Sequence, residues 1–135
     1  MAYWILKTEP STYSFGDLVK AKRATWDGVS NPVALRNLRE MAVGDEVMIY
    51  HTGDEKACVG LGKVVQAAYP DPKVGDARLV VVDLESGLAL GAPVTLKAIK
   101  ADPAFAELGL VRQGRLSVVP VPGAQWKRLL EMGTG

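Results

Sequence analysis

Few residues in this chain have chemical reach. The single histidine, His51, and the single cysteine, Cys58, stand close together in sequence. A Ser-His-Asp arrangement would need His51 as its base. Ser14, Ser30, Ser86 and Ser117 offer hydroxyls, but none lies in a nucleophile-elbow pattern. A Cys58–His51 pair on facing strands is geometrically possible. As a metal set, one cysteine with one histidine is weak. "GLGK" at 60–63 lacks the Walker spacing and reads as a structural glycine pair within a hairpin. Asp71 and Asp76 flank a turn and do not form a hydrolytic pair. Nothing here demands an enzyme, a metal or a cofactor.

Three other groups suit binding better. In "KTEP", Lys7, Thr8, Glu9 and Pro10 close a strand with short polar groups at its mouth. They form either a turn with a surface ion pair or a ligand-edge contact. In "TWDGVSN", Asp27 and Gly28 make a tight turn that fixes Trp26 in a polar setting. Trp26 is then either a core plug or one wall of a pocket for a planar guest. Asn31 can reach a base edge with its amide or cap the helix that follows, and the two uses compete. In "IYHT", Tyr50 and His51 point to opposite faces of a strand, so one faces the core or a pocket. Arg115 and Ser117 precede a late strand, where an arginine meets a phosphate or an acid.

These groups need a frame. With 135 residues, 48% of them hydrophobic and 23% charged, the chain suits one globular domain. The formal net charge of +1 argues against a protein that coats nucleic acid, which requires a broad positive field. It leaves room for a module that buries one base. Arg23, Arg36, Arg112 and Arg115 would then serve as local phosphate contacts. A lone cysteine permits no internal disulfide. The opening "MAYWILKTEP" meets charge too early for a signal peptide. No stretch approaches the ~18 apolar residues of a membrane helix. The expected compartment is the cytoplasm, with no membrane partner.

Residues 3–8 read as a first strand. A short helix follows, with Ser14 as cap, Asp17 completing a capping box, and Phe15, Leu18 and Val19 inward. The polar "TWDGVSN" turn comes next. Asn31 and Pro32 open a second helix, with Leu35, Leu38 and Ala42 inward and Arg36, Asn37, Arg39 and Glu40 wet. Gly44 ends it. Strands follow over 46–52 and 57–69, bent at Gly60 and Gly62, then over 77–85. "SGLALGAPVTL" reads as a turn and a short strand. Helical turns, a strand over 116–121 and a closing helix over 123–132 complete the chain. Trp126 and Leu129 or Leu130 pack that helix on the sheet. Strands with inserted helices and no regular βαβ spacing indicate a small curled sheet or barrel.

In order, "YWILKTEPSTYSFGDL", "TWDGVSN", "LRNLREMAVGDEVMIYHT", "VGLGKVV", "AYPDP", "VTLKAIKADP" and "LVRQGRLSVVPV", with Trp126 after them, resemble the EVE domain family of the PUA-like superfamily. The resemblance covers nearly the whole chain. It implies an α+β fold, a PUA-like mixed-sheet pseudo-barrel decorated by short helices, as one domain over 1–135. It also implies a non-catalytic module with a cavity akin to the modified-base pockets of YTH domains. The implied partner is a modified nucleotide, single-stranded or flipped out, in DNA or RNA. Carried onto this chain, the pocket comprises Lys7, Thr8, Glu9, Pro10, Trp26, Asp27, Gly28, Asn31, Tyr50 and His51. Arg112, Arg115 and Ser117 match a late motif at its rim. The chain departs from the family pattern at Thr8, where serine is common, and at "PVALRN", where an aromatic and an Ala-Arg pair are common; two further departures are Ser30, where arginine is common, and Leu79, near a common tryptophan. With the low net charge, they motivate a second reading, in which the same fold binds a small molecule or a protein partner without nucleic-acid affinity.

Overall fold

Two long runs of small and β-branched residues make the backbone of the sheet. In the computed structural model, which describes residues 1–134, β4 (Ala57–Pro70) and β5 (Val80–Thr95) form one antiparallel ribbon. The remaining strands are β1 (Tyr3–Thr8), β2 (Arg23–Trp26), β3 (Glu46–His51) and β6 (Val118–Val121). Their order is β2-β5-β4-β3-β1-β6. β1 and β3 run parallel, Tyr3 opposite Glu46 and Thr8 opposite His51. All other pairs are antiparallel. The sheet is therefore mixed, and the fold is α+β as expected.

The barrel expectation is corrected: the sheet is open. The edge strands β2 and β6 are four residues each and pair on one side only, with β5 and β1. Helix α2 (Pro32–Glu40) packs against β6 and β5, where barrel-closing strand contacts would lie. Its Asn37 Nδ2 donates to Val118 O at 2.8 Å. Lys7 N takes the neighbouring Ser117 carbonyl on the β1 side, so by strand alternation the Val118 carbonyl faces outward. A helix side chain thus satisfies an edge acceptor that another strand would otherwise take. This need also explains why Asn37 is buried although it was placed on the wet side.

The curl comes from the ribbon. Four register shifts interrupt β4–β5, and Gly60 and Gly62 lie among them. A Cβ on Gly60 would fall 2.3 Å from the ring of Phe15, so the glycine makes room for an aromatic side chain from α1 (Phe15–Ala21). That helix carries the expected capping box: Ser14 Oγ accepts from Asp17 N, and Asp17 Oδ2 accepts from Ser14 N. α3 (Leu96–Ala101), a 3-10 turn (Pro103–Phe105), α4 (Gly109–Arg112) and α5 (Gly123–Met132) follow. Trp126 of α5 stacks on Tyr3 at 4.9 Å. Buried Asp45 ties the N-terminus to the turn before β3. Its carboxylate accepts from Ala2 N, Trp4 Nε1 and Ala42 N at 2.9–3.1 Å.

Several local expectations shift. Arg23–Trp26 is a strand, not part of a turn. β5 continues through "SGLALG" because β4 pairs along it. Val19 and Ala42 are exposed, not inward.

Candidate functional site

The curled sheet brings the ends of β1 and β2 to one mouth, although three strands separate them in the sheet order. Between them lies a cavity of about 560 Å³. Lys7 and Thr8 line it from the end of β1. Glu9, Thr12 and Tyr13 belong to the loop that follows. Thr25 and Trp26 close β2, and Asp27, Gly28 and Val29 carry the wall onward. Ser117 enters from the turn before β6.

The loop after β1 is held tightly. Thr12 N and Tyr13 N both donate to Glu9 O, and Thr8 Oγ1 donates to Tyr13 O at 2.7 Å. The Glu9 carboxylate accepts from Ser11 N and Ser11 Oγ at 3.1 and 3.0 Å. These Ser11 bonds hold Glu9 below the usual carboxylate range. Lys7 Nζ donates to Gly114 O at 2.8 Å and lies 5.7 Å from the centre of the Tyr50 ring. Burial pulls its ammonium below the usual lysine range.

Trp26 stands at the border of core and cavity. Its ring is 7% exposed and belongs to the core, and its remaining surface lines the cavity. Tyr13 meets it edge-on, with centroids 6.1 Å apart and planes at 85°. Burial, with Asp17 nearby, raises the Tyr13 phenol above its ordinary value, so it stays a neutral donor. Gly28 takes φ +78°, a conformation that favours glycine and turns the chain around the rim.

Other expected pocket residues lie elsewhere. Asn31 is committed to capping, its Oδ1 accepting from Val33 N and Ala34 N. Pro10 does not line the cavity. Tyr50 lies beyond Lys7, in a small hollow shared with Lys56 and Lys100. His51 is buried, with its Nε2 accepting from Phe15 N at 2.9 Å and its Nδ1 2.7 Å from Glu55 Oε1. Arg23 pairs with Asp83 at 3.6 Å. Arg36 and Arg112 line a larger hollow of about 820 Å³, and Arg115 a smaller one. Of the expected rim residues, Ser117 alone reaches the cavity.

Four lining residues are not among the expected pocket residues: Thr12, Tyr13, Thr25 and Val29, the last two within the "TWDGVSN" group. Tyr13 carried a signal. It directly precedes the helix cap, where an apolar residue commonly packs back on its surroundings.

The arrangement suits binding and not turnover. The hydrogen bond from Phe15 leaves Nε2 no free lone pair to take a proton from a substrate. Cys58 pairs with Tyr50, not His51, and is fully buried, with burial pushing its thiol up to about 12. Among the described residues, no three His, Cys, Asp or Glu side chains gather as a metal set.

The EVE domain family model matches residues 2–132. A Rhodopseudomonas palustris protein solved by NMR is 38% identical, with TM-score 0.92 over 98% of this chain and 93% of that one. An Agrobacterium tumefaciens crystal structure is 33% identical, with TM-score 0.94 over 98% and 93%. The human THYN1 protein, crystallised in complex with 5-methylcytosine-containing DNA, is 26% identical, with TM-score 0.90 over 100% and 99%. Thymocyte nuclear protein 1 of Rattus norvegicus is 38% identical over 81 residues, 51% of this chain. That match covers only about a third, 36%, of the curated relative's length.

Proposed function

This chain belongs to the EVE domain family, and from that membership we propose that it is a non-catalytic module that reads a modified base in DNA or RNA. The observation that carries this is the cavity itself: Trp26 and Tyr13 stand beside the polar edge formed by Thr8, Asp27 and Ser117. A flat guest needs such a pairing, aromatic surface for its face and short polar groups for its rim. Val29 and Tyr13 supply apolar contact for a methyl substituent, worth ~0.8 kcal/mol when fully buried. The human THYN1 complex makes 5-methylcytosine the first base to test. Ser30 and Leu79, two of the departures from the family pattern, line a separate hollow beside α2 with Leu35 and Arg39. They therefore do not interrupt the wall around Trp26.

The test is a fluorescence-polarisation titration of short oligonucleotides carrying one modified cytosine or adenine against unmodified twins. Single- and double-stranded forms are compared at two salt concentrations. An affinity gap of ~1 kcal/mol, about five-fold, is the expected result. No gap for any modification rejects the reading and moves the weight to a small molecule or a protein partner.

A further inference from the structure

We infer that a furrow along α2 is the track for the nucleic-acid strand that flanks the bound base. Ser117 lines the base cavity, and its chain neighbours Leu116 and Arg115 line the next hollow, of about 310 Å³, with Asn31 and Val33 of the facing segment. Val33, Gln113 and Leu116 are shared with the third hollow, of about 820 Å³, where Arg36 and Arg112 stand. The three hollows run in sequence from the cavity, between α2 on one side and the α4–β6 segment on the other.

The charges along this path differ from the rest of the surface. Of the chain's arginines, Arg23, Arg78, Arg112 and Arg128 pair with carboxylates, and Arg39 donates to the Arg78 carbonyl. Arg36 and Arg115 have no hydrogen bond or ion pair among the described residues, and both line the furrow. Arg112 binds only Glu107, on an exposed surface where such a pair contributes little. It can exchange Glu107 for a phosphate. On α2, Arg36 lies about 7.5 Å along the axis from Asn31, at ~1.5 Å per residue. Free guanidiniums spaced along a trough fit a phosphodiester backbone. A protein partner would leave them to meet isolated carboxylates, without a reason for a line leading out of a base-sized cavity.

This inference rests on the base-reading proposal, and the experiment separates the two. Arg36→Ala, Arg115→Ala and the control Arg39→Ala are titrated with modified and unmodified single strands across a salt series. Each furrow variant should weaken both oligonucleotides equally and flatten the plot of log K against log salt by ~0.7, one phosphate contact on a single strand. Arg39→Ala should leave the slope unchanged. Unchanged slopes for Arg36→Ala and Arg115→Ala, an equal loss in Arg39→Ala, or no oligonucleotide binding at all would overturn the track. If the furrow slopes fall while modified and unmodified strands bind alike, the track stands and the base-reading proposal fails.

Discussion

Tyr13 and Trp26 stand at 85° to each other, 6.1 Å between centroids, where both line the cavity. A flat guest cannot lie parallel to both rings. It stacks on one and meets the other edge-on, so the two aromatics do not form a two-sided sandwich. Base stacking on a single ring is worth ~1–3 kcal/mol.

The Tyr13 side chain is the safer probe of that geometry. Trp26→Ala removes a core side chain and costs roughly 3–5 kcal/mol of stability, which confounds a binding assay. Tyr13 is half-buried. Tyr13→Ala should keep the fold and lose modified-base affinity by ~1 kcal/mol or more, whereas Tyr13→Phe should retain most of it. Polarisation titration alongside thermal melting checks this. Equal affinity in all three proteins would remove Tyr13 from the site.

The hydrogen bonds of His51 distinguish its two ring nitrogens. Phe15 N donates to Nε2, which therefore carries no proton, and Nδ1–H faces Glu55. Nitrogen-15 NMR of the imidazole should report a proton on Nδ1 and a bare, hydrogen-bond-accepting Nε2. His51→Ala leaves the buried Phe15 N–H unpaired and should destabilise by about 1–3 kcal/mol. An Nε2–H signal would contradict the packing of α1 on β3.

Asp45 should govern part of the acid limb. Burial raises its pKa, but hydrogen bonds from Ala42 N, Trp4 Nε1 and Ala2 N, with the N-terminal charge, outweigh it and hold the carboxyl below the ordinary aspartate range. The unfolded chain therefore binds this proton more readily. The stabilisation is complete above the unfolded aspartate pKa and is lost as pH falls through the lower folded value. Asp45→Asn should cost about 1–3 kcal/mol at neutral pH and flatten the decline in acid. Denaturant midpoints across pH check both effects, and parallel curves for the two proteins would refute the assignment.

Gly60→Ala should destabilise the fold by roughly 1–3 kcal/mol, because the added methyl overlaps the Phe15 ring. Gly60→Ala combined with Phe15→Leu should recover part of that loss. Denaturant unfolding measures the coupling, and strict additivity would show that the two side chains do not share the space.

Much of this frame was legible in local sequence. The capping box at Ser14 and Asp17, the Asn31-Pro32 helix start, and the strands around Ile5 and Ile49 follow from caps and periodicity. What escaped depends on distant partners. Arg23–Trp26 is an edge strand of four residues, too short for a clear alternation. "SGLALG" looks like a turn until β4 lies beside it. Asn37 reads as solvent-facing because its partner, the Val118 carbonyl, is 81 residues away. The cavity had the same character. Lys7, Thr8, Trp26, Asp27 and Gly28 were suggestive in sequence; Tyr13 is tied locally to Thr8 and Glu9 and meets Trp26 only because the sheet curls. Asn31 and His51 were drawn away by hydrogen bonds with Val33 and Phe15.

The unclosed seam has a mechanical consequence. β2 and β6 are not stitched to each other, so the seam between them is covered by the face of α2 and by side chains such as Asn37. Widening that seam slides packed surfaces without breaking a strand ladder, and it leaves the β3–β4–β5 registers intact. Compliance is thereby concentrated in the contacts of α2 while the ribbon stays stiff. Substitutions on the inner face of α2 should therefore change how the helix seats on β5 and β6 with the sheet as a fixed chassis.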